Sequence, residues 1–258
     1  MRFLKTLIKN CLPTAWVYFL KFMKDHEYKA FYEFLREKEL SLSMLQRICL
    51  LKKFYLISYN LESPHRQKEI LAFASEILHI PGNVEGVIVE AGCYKGSSTA
   101  KFSIAANITG RELVVFDSFE GIPQNDEPAQ RNIYGGESSF EAGDYCGTLE
   151  EVKSNISKYG NIESCRFVKG WFEDTLPAFK EKIAAVYLDV DLVSSTQTCL
   201  KYLFPLLSKG AVIYSHDGHL PSVISLFSDN NFWEKELHIE PPFIEGLGEK
   251  KLLKLKID

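Results

Sequence analysis

The sequence predicts an α/β fold built on a doubly wound, mostly parallel sheet. Three observations carry this. Short apolar runs rich in Val and Ile alternate with longer segments of helical periodicity. Five of these runs end in polar or glycine residues just before the next segment opens. The last two apolar runs follow each other across the Gly246–Gly248 turn with no helix between them, which makes a hairpin and supplies an antiparallel edge.

The elements follow in chain order. Met1–Lys24 contains the apolar stretch Trp16–Leu20, but Lys9, Asn10 and Pro13 interrupt the run and no small-residue cleavage site follows. It is too short for a membrane span and unlike a signal peptide. Two readings stay open, an amphipathic helix packed on the body or on a second copy, and contact with a membrane surface. Residues 1–62 are expected to form a helical N-terminal extension, and residues 63–258 the sheet domain.

Ser63-Pro64 reads as an N-cap and first-turn proline. The helix it opens carries the stripe Ile70, Leu71, Phe73, Ala74, Ile77 and Leu78, and Pro81-Gly82 stops it. Val87–Val89 is a buried strand closed by Glu90. Gly92 and Gly96 turn the chain into a helix over Ser97–Asn107, which Gly110 ends. Glu112–Phe116 is the second strand, ending at Asp117. The long loop Ser118–Gly147, rich in Gly and Pro, is expected to be a lid that orders on ligand. Thr148–Glu151 is a capping box for a helix that stops at Gly160. Cys165–Val168 is the third strand and Ala184–Leu188 the fourth, followed by a helix over Ser194–Leu207. Ala211–Ser215 is the fifth strand, and Pro221–Phe232 a further helix. Leu237–Ile239 and Lys251–Ile257 are the expected hairpin.

The net charge of −4 gives no ground for nucleic acid as a partner. Six cysteines without a C-x-x-C pair read as reduced core thiols of a cytoplasmic protein.

In an open α/β sheet, ligands bind at the carboxyl ends of the strands. Glu90, Asp117, Gly170, Asp189 and Asp217 should therefore share one rim. The turn carrying Glu90, Gly92, Tyr94, Gly96, Ser97 and Ser98 offers a cradle of nucleotide size at a helix N-terminus. Asp117, with Ser118, sits where an acid accepts ribose hydroxyls, which suits NAD and S-adenosylmethionine equally. Gly170, Trp171 and Phe172 close the third strand, and the two rings serve either adenine stacking or the core. Asp189 and Asp191 lie two apart, with His216 and Asp217 at the next strand end. That set suits a divalent cation such as Mg²⁺, a general base, or a hydrogen-bonded network without metal. Buried like charges at this density require a cation or a proton.

Four stretches carry a resemblance: PGNVEGVIVEAG from Pro81, FDSFEGIP from Phe116, GWFEDTLP from Gly170 and LDVDLVSST from Leu188. Across roughly residues 65–220 the chain resembles the macrocin O-methyltransferase family of S-adenosylmethionine-dependent enzymes. The resemblance implies a seven-stranded sheet of order 3-2-1-4-5-7-6 with its last strand antiparallel. It implies S-adenosylmethionine as cofactor and methyl transfer to a hydroxyl of a small-molecule sugar or glycoside. It also implies a divalent cation, Mg²⁺ or another, held here by Asp189, His216 and Asp217; the expected catalytic groups are Asp191 or Asp189 as the base, with His216 in that role if no metal binds. The family commonly has an Asp-Asp pair after the fifth strand, where this chain has His216-Asp217. Imidazole is a poorer ligand for Mg²⁺ than oxygen. The alternatives are a Rossmann-like protein of other action, such as an NAD-dependent oxidoreductase, for which G-x-G-x-x-G is lacking, or a non-catalytic binding module. A homo-oligomer through the apolar N-terminal segment is a further expectation.

Overall fold

The computed structural model describes residues 28–257. The expectations for Trp16–Leu20 and its partner lie outside the described residues. Two helices lead, α1 (Tyr28–Arg36) and α2 (Met44–Asn60), then α3 (Gln67–His79). The alternating part runs β1 (Val87–Ala91), α4 (Ser97–Thr109), β2 (Leu113–Asp117), a small hairpin of β3 (Gln130–Arg131) and β4 (Glu137–Ser138), α5 (Leu149–Tyr159) and β5 (Cys165–Lys169). It continues with α6 (Phe172–Thr175), β6 (Ile183–Leu188), α7 (Val193–Leu203), β7 (Leu207–Ser215) and α8 (Pro221–Ser228), and closes with β8 (Ile244–Glu245) and β9 (Leu253–Lys256).

The main sheet has the order β5-β2-β1-β6-β7-β9-β8. With the separate β3–β4 hairpin set aside, this is the expected 3-2-1-4-5-7-6. β9 runs antiparallel to both neighbours, and the other pairs are parallel. The period of two along each strand divides the core. Ile88, Leu113, Val115, Tyr187 and Tyr214 face α1 to α5. Val89, Ala91, Val114, Phe116, Leu188 and Ile213 face α7 and α8. Both faces are covered, which is why these strands read as continuous apolar runs. Phe31, Phe34, Phe54 and Ile57 from the leading helices join the first of the two cores.

Several boundaries differ from expectation. α3 starts at Gln67, because Ser63 is used locally: its hydroxyl lies 3.2 Å from Nδ1 of His65. α7 ends at Leu203, since Pro205 turns the chain into a short 3₁₀ segment. α8 stops at Ser228, and Phe232–Glu236 is a wide helical turn that sinks Trp233 into the core, its indole N–H donating to the Phe227 carbonyl. That turn consumes Leu237–Ile239, so the sixth strand is Ile244–Glu245 instead. Among the described cysteines, all free, Cys93 and Cys199 are buried, while Cys49 and Cys146 are exposed and not core thiols.

The 118–147 segment is tethered. The Glu127 carboxylate accepts from the backbone N–H of Val193 (3.0 Å) and Ser194 (2.9 Å), the first residues of α7. Gln130 and Ser222 exchange two hydrogen bonds, and the Ile133 N–H donates to the His219 carbonyl. No helix among the described residues is long and apolar enough to cross a membrane.

Candidate active site

The carboxyl ends of β1, β2, β5, β6 and β7 meet at a cavity of about 280 Å³. Gly92, Tyr94, Asp117, Ser118, Gly170, Trp171 and Phe172 line one part of it. Asp189, Asp191 and His216 line another. Glu90, Gly96, Ser97, Ser98 and Asp217 do not line it. They lie behind its wall and shape it.

The turn after β1 explains two of these. Gly92 has φ +84°, and a Cβ there would fall 2.0 Å from the Asp189 carbonyl oxygen. The glycine is needed for the crossing of two backbones, not for a ligand. Gly96, also left-handed at φ +78°, caps α4 against Val152 of α5. Asp117 braces the turn: Oδ2 accepts from Cys93 N–H and Oδ1 from Phe119 N–H, both at 2.7 Å. Burial raises its pKa, and those N–H groups offset part of the rise. Glu90 is fully buried, with neither oxygen hydrogen-bonded within 3.5 Å. Burial pushes its carboxyl up to about 8, outweighing the lowering pull of the nearby Ser98 and Thr99 hydroxyls. It is a neutral acid inside the domain.

On the other side, Asp189 is gripped by two imidazoles. His65 Nε2 lies 2.6 Å from Oδ2, and His216 Nδ1 lies 3.0 Å from Oδ1. Glu69, on α3, takes the far side of His216, with Oε2 3.0 Å from Nε2. Burial would raise the Asp189 carboxyl, but the two histidines hold it well below the ordinary range. Burial would likewise raise Glu69, yet the His216 bond and charge hold it at about 2. Burial would lower His216, and Asp189 with Glu69 outweighs it and raises the ring to about 9. His65 is lowered by burial in spite of Asp189, so it is the neutral donor of the pair.

Asp217 does something else. Its Oδ2 accepts from the backbone N–H of Val190 and Asp191, both at 3.1 Å, and Oδ1 has no partner. It shapes the loop that carries Asp191. Asp191 adopts φ +61°, a strained value for a non-glycine residue, and lines the cavity. Burial, then the charges of Asp217 and Asp189, raise its pKa well above the ordinary carboxylate value.

Sequence reasoning missed His65, Glu69 and Tyr145. His65 comes from the loop before α3 and carried no spacing signal. Glu69 was hidden in an amphipathic stripe. Tyr145 lines the cavity and packs edge-on to Tyr94, with ring centroids 5.7 Å apart.

The donor set does not fit Mg²⁺. The His/Cys/Asp/Glu group that converges among the described residues is His65, Asp189 and His216, whose ligand atoms lie within 4.8 Å of one another. Asp217 is not in it, and two of its three donors are nitrogen, where Mg²⁺ takes oxygens and water.

A family model described as macrocin-O-methyltransferase (TylF) matches residues 57–241. The chain belongs to the macrocin O-methyltransferase family. Within this family, a tetracenomycin rhamnosyl 4'-O-methyltransferase of Streptomyces olivaceus is 35% identical over 142 residues, 52% of this chain and 53% of that protein. The mycinamicin III 3''-O-methyltransferase of Micromonospora griseorubida is 32% identical over 149 residues, 54% of this chain and 58% of its own length. The chain thus spans about half the length of the curated relatives it matches. Among solved structures, the O-methyltransferase NovP superposes with a TM-score of 0.63 at 21% identity, over 81% of this chain and 98% of its own, and so supports the fold.

Proposed function

We propose that this macrocin O-methyltransferase family member transfers a methyl group from S-adenosylmethionine to a hydroxyl of a small-molecule sugar or glycoside. One observation carries the reading: the nucleoside-type groups and the acid-base groups line the same cavity. Asp117 would accept from the ribose hydroxyls, Trp171 and Phe172 would flank the adenine, and the Gly92–Tyr94 turn would hold the amino-acid end. These groups fit the cofactor, because Asp117 keeps acceptor capacity beyond its two backbone bonds. The sugar O-methyltransferases among its relatives favour a sugar hydroxyl as acceptor.

S-adenosylmethionine supplies a methyl group already activated on a sulfonium sulfur. The chain's remaining work is to align the acceptor oxygen, exclude water and accept its proton. Asp189 is a poor base, since both its oxygens are committed to imidazoles. Asp191 is the better one. It lines the cavity, no hydrogen bond ties its carboxylate down, and its raised pKa brings it toward the working range of a general base. Its carboxylate would take the acceptor hydroxyl's proton when the methyl group passes from the sulfonium sulfur to that oxygen. Asp217 holds Asp191 in its strained conformation through the two backbone N–H groups.

The test is methyl transfer from radiolabelled S-adenosylmethionine to a panel of rhamnosides, other glycosides and nucleotide sugars. Calorimetry with S-adenosylmethionine, its homocysteine product and NAD accompanies it. Binding of NAD alone would overturn the reading.

A further inference from the structure

We infer that the outer face of α2 is a docking surface for an anionic lipid membrane. The inference goes beyond methyl transfer and does not depend on it.

α2 is apolar on two sides. Its inner side, with Leu50, Leu51, Phe54 and Ile57, is buried in the first core. Its outer side carries Met44, Leu45, Ile48, Cys49 and Leu56, all exposed, Leu45 by 71%. Leu45, Ile48, Lys52 and Leu56 stand three or four residues apart and so form one stripe. Apolar residues scattered singly on a surface are ordinary, whereas a helix that is apolar all round is normally covered. α2 cannot roll to bury this stripe. Arg47, buried on the inner side, donates to the backbone carbonyls of Phe34, Leu35, Glu37, Leu40 and Leu42, which pins the helix to the chain that leads into it.

Charge selects the occupant. α2 contains no acid. Arg47 is spent on carbonyls, but Lys52 and Lys53 are exposed and pair with no acid among the described residues. The asymmetry extends beyond the helix. Residues 1–60 hold eleven Lys or Arg against five Asp or Glu, and the rest of the chain holds nineteen against twenty-nine. An anionic surface therefore attracts the leading helices and repels the sheet domain, which sets an orientation. Lipid headgroups receive the lysine ammonium groups, while the apolar stripe and the lysine stems reach the acyl boundary.

Other occupants fit this charge less well. A twofold contact sets the same patch of both copies face to face, so Lys52 and Lys53 would oppose their own counterparts. The chain's first 24 residues carry five Lys or Arg and no acid, so they add to the positive charge and do not neutralise it. The stripe also lies close to the cavity in the chain. α2 ends at Asn60, and Pro64, four residues on, lines the cavity. Docking through α2 would thus keep the cavity wall at Pro64 within about 14 Å of the end of the docked helix.

The experiment sediments the full chain with vesicles of phosphatidylcholine alone and of phosphatidylcholine mixed with phosphatidylglycerol, at low and at high salt. The protein should pellet with the mixed vesicles at low salt, stay in solution with the neutral ones, and be released as salt screens the charges. Lys52→Gln combined with Lys53→Gln should weaken partitioning by roughly 10- to 30-fold, about fivefold for each charge removed from an anionic surface. Leu45→Asn combined with Ile48→Asn should weaken it at least as much, because the apolar contact is lost. All four side chains face solvent, so thermal unfolding of both variants should match wild type. The inference is overturned if neutral vesicles bind as well as anionic ones, or if both variants partition like wild type, which would move the contact off α2. Absence of vesicle binding also overturns it. A dimer in sedimentation velocity that Leu45→Asn with Ile48→Asn dissolves would then show that a second copy covers the stripe, and a monomer that it is covered from within the chain. Each readout is independent of turnover, so failure here leaves the methyl-transfer reading intact, and the converse holds.

Discussion

His65 and Asp189 lie 124 residues apart in the chain and meet at 2.6 Å, with the His65 side chain only 4% exposed. This contact ties the segment before α3 to the carboxyl-end rim of the sheet. It also helps to set two neighbouring acids in different surroundings. Asp189 has both oxygens engaged and its carboxyl held low. Asp191, two residues on, is held high in a strained backbone. Groups whose environments push their pKa values apart take different roles.

Asp191→Asn should therefore lower kcat by about 10²- to 10⁴-fold, the range general-base catalysis supplies, while S-adenosylmethionine affinity stays near wild type. The wild-type kcat should rise with pH as Asp191 loses its proton, and the variant should lose that limb. A variant that keeps the limb would move the base elsewhere.

Asp117→Asn tests the cofactor side. A carboxylate in charge-assisted hydrogen bonds is worth about 1.5–3 kcal/mol, so S-adenosylmethionine should bind roughly 10- to 100-fold more weakly. Calorimetry measures this directly. Because Asp117 also braces Cys93 and Phe119, thermal unfolding without ligand should be run beside it. Loss of cofactor affinity at unchanged Tm is the expected pattern.

How much of this was legible in the sequence depended on whether a signal was local. β1, β2, β5, β6 and the second half of β7 were legible as apolar runs, since most are buried on both faces and a run such as VIV or LVVF has no other home, whereas the short, largely exposed β3–β4 hairpin lay unseen inside the expected loop. Strand order came with the resemblance. The C-terminal hairpin lost its first strand because Trp233 anchors a wide helical turn that no periodicity announces. The rim acids were visible as strand endings, but their jobs were not. Asp217 was read as a ligand, and what no strand ending announces is that one of its oxygens accepts from the backbone N–H groups of Val190 and Asp191. His65 and Glu69 belong to the site through long-range packing alone. A lone histidine in a loop and an acid in a helical stripe look the same whether or not they meet a partner more than a hundred residues away.

The expectation of a lid leads to a third prediction. The 118–147 segment is held by Glu127 at the N-terminus of α7 and by the Gln130–Ser222 pair. A carboxylate on free helix N–H groups is worth about 0.5–2 kcal/mol. Glu127→Ala should release the segment with little change in global Tm. Limited proteolysis should then cut within 118–147 faster than in wild type, and S-adenosylmethionine should slow the cleavage in both. Equal rates with and without cofactor would show that the segment does not respond to the ligand.

The last prediction concerns Glu90 and stability. Its carboxyl is buried without a hydrogen-bond partner and lies at about 8 when folded, against an ordinary value of 4.5. A group raised in the folded state contributes stability that is fully present below its unfolded pKa. That contribution is lost as pH rises through the folded value. Between pH 4.5 and 8 the unfolded chain can ionise Glu90 freely while the folded one cannot. Wild-type stability should fall across that window for this reason and level off above it. Glu90→Gln is close in shape and cannot ionise. Its Tm relative to wild type should climb from pH 4.5 to 8 and then stay constant, at about 2–4 °C for each kcal/mol recovered. Any fixed cost of the amide shifts the whole curve and leaves its slope alone, so the slope is the readout. Thermal unfolding of both proteins in matched buffers measures it, and a difference that stays flat over the window would mean that Glu90 ionises as easily inside the domain as outside.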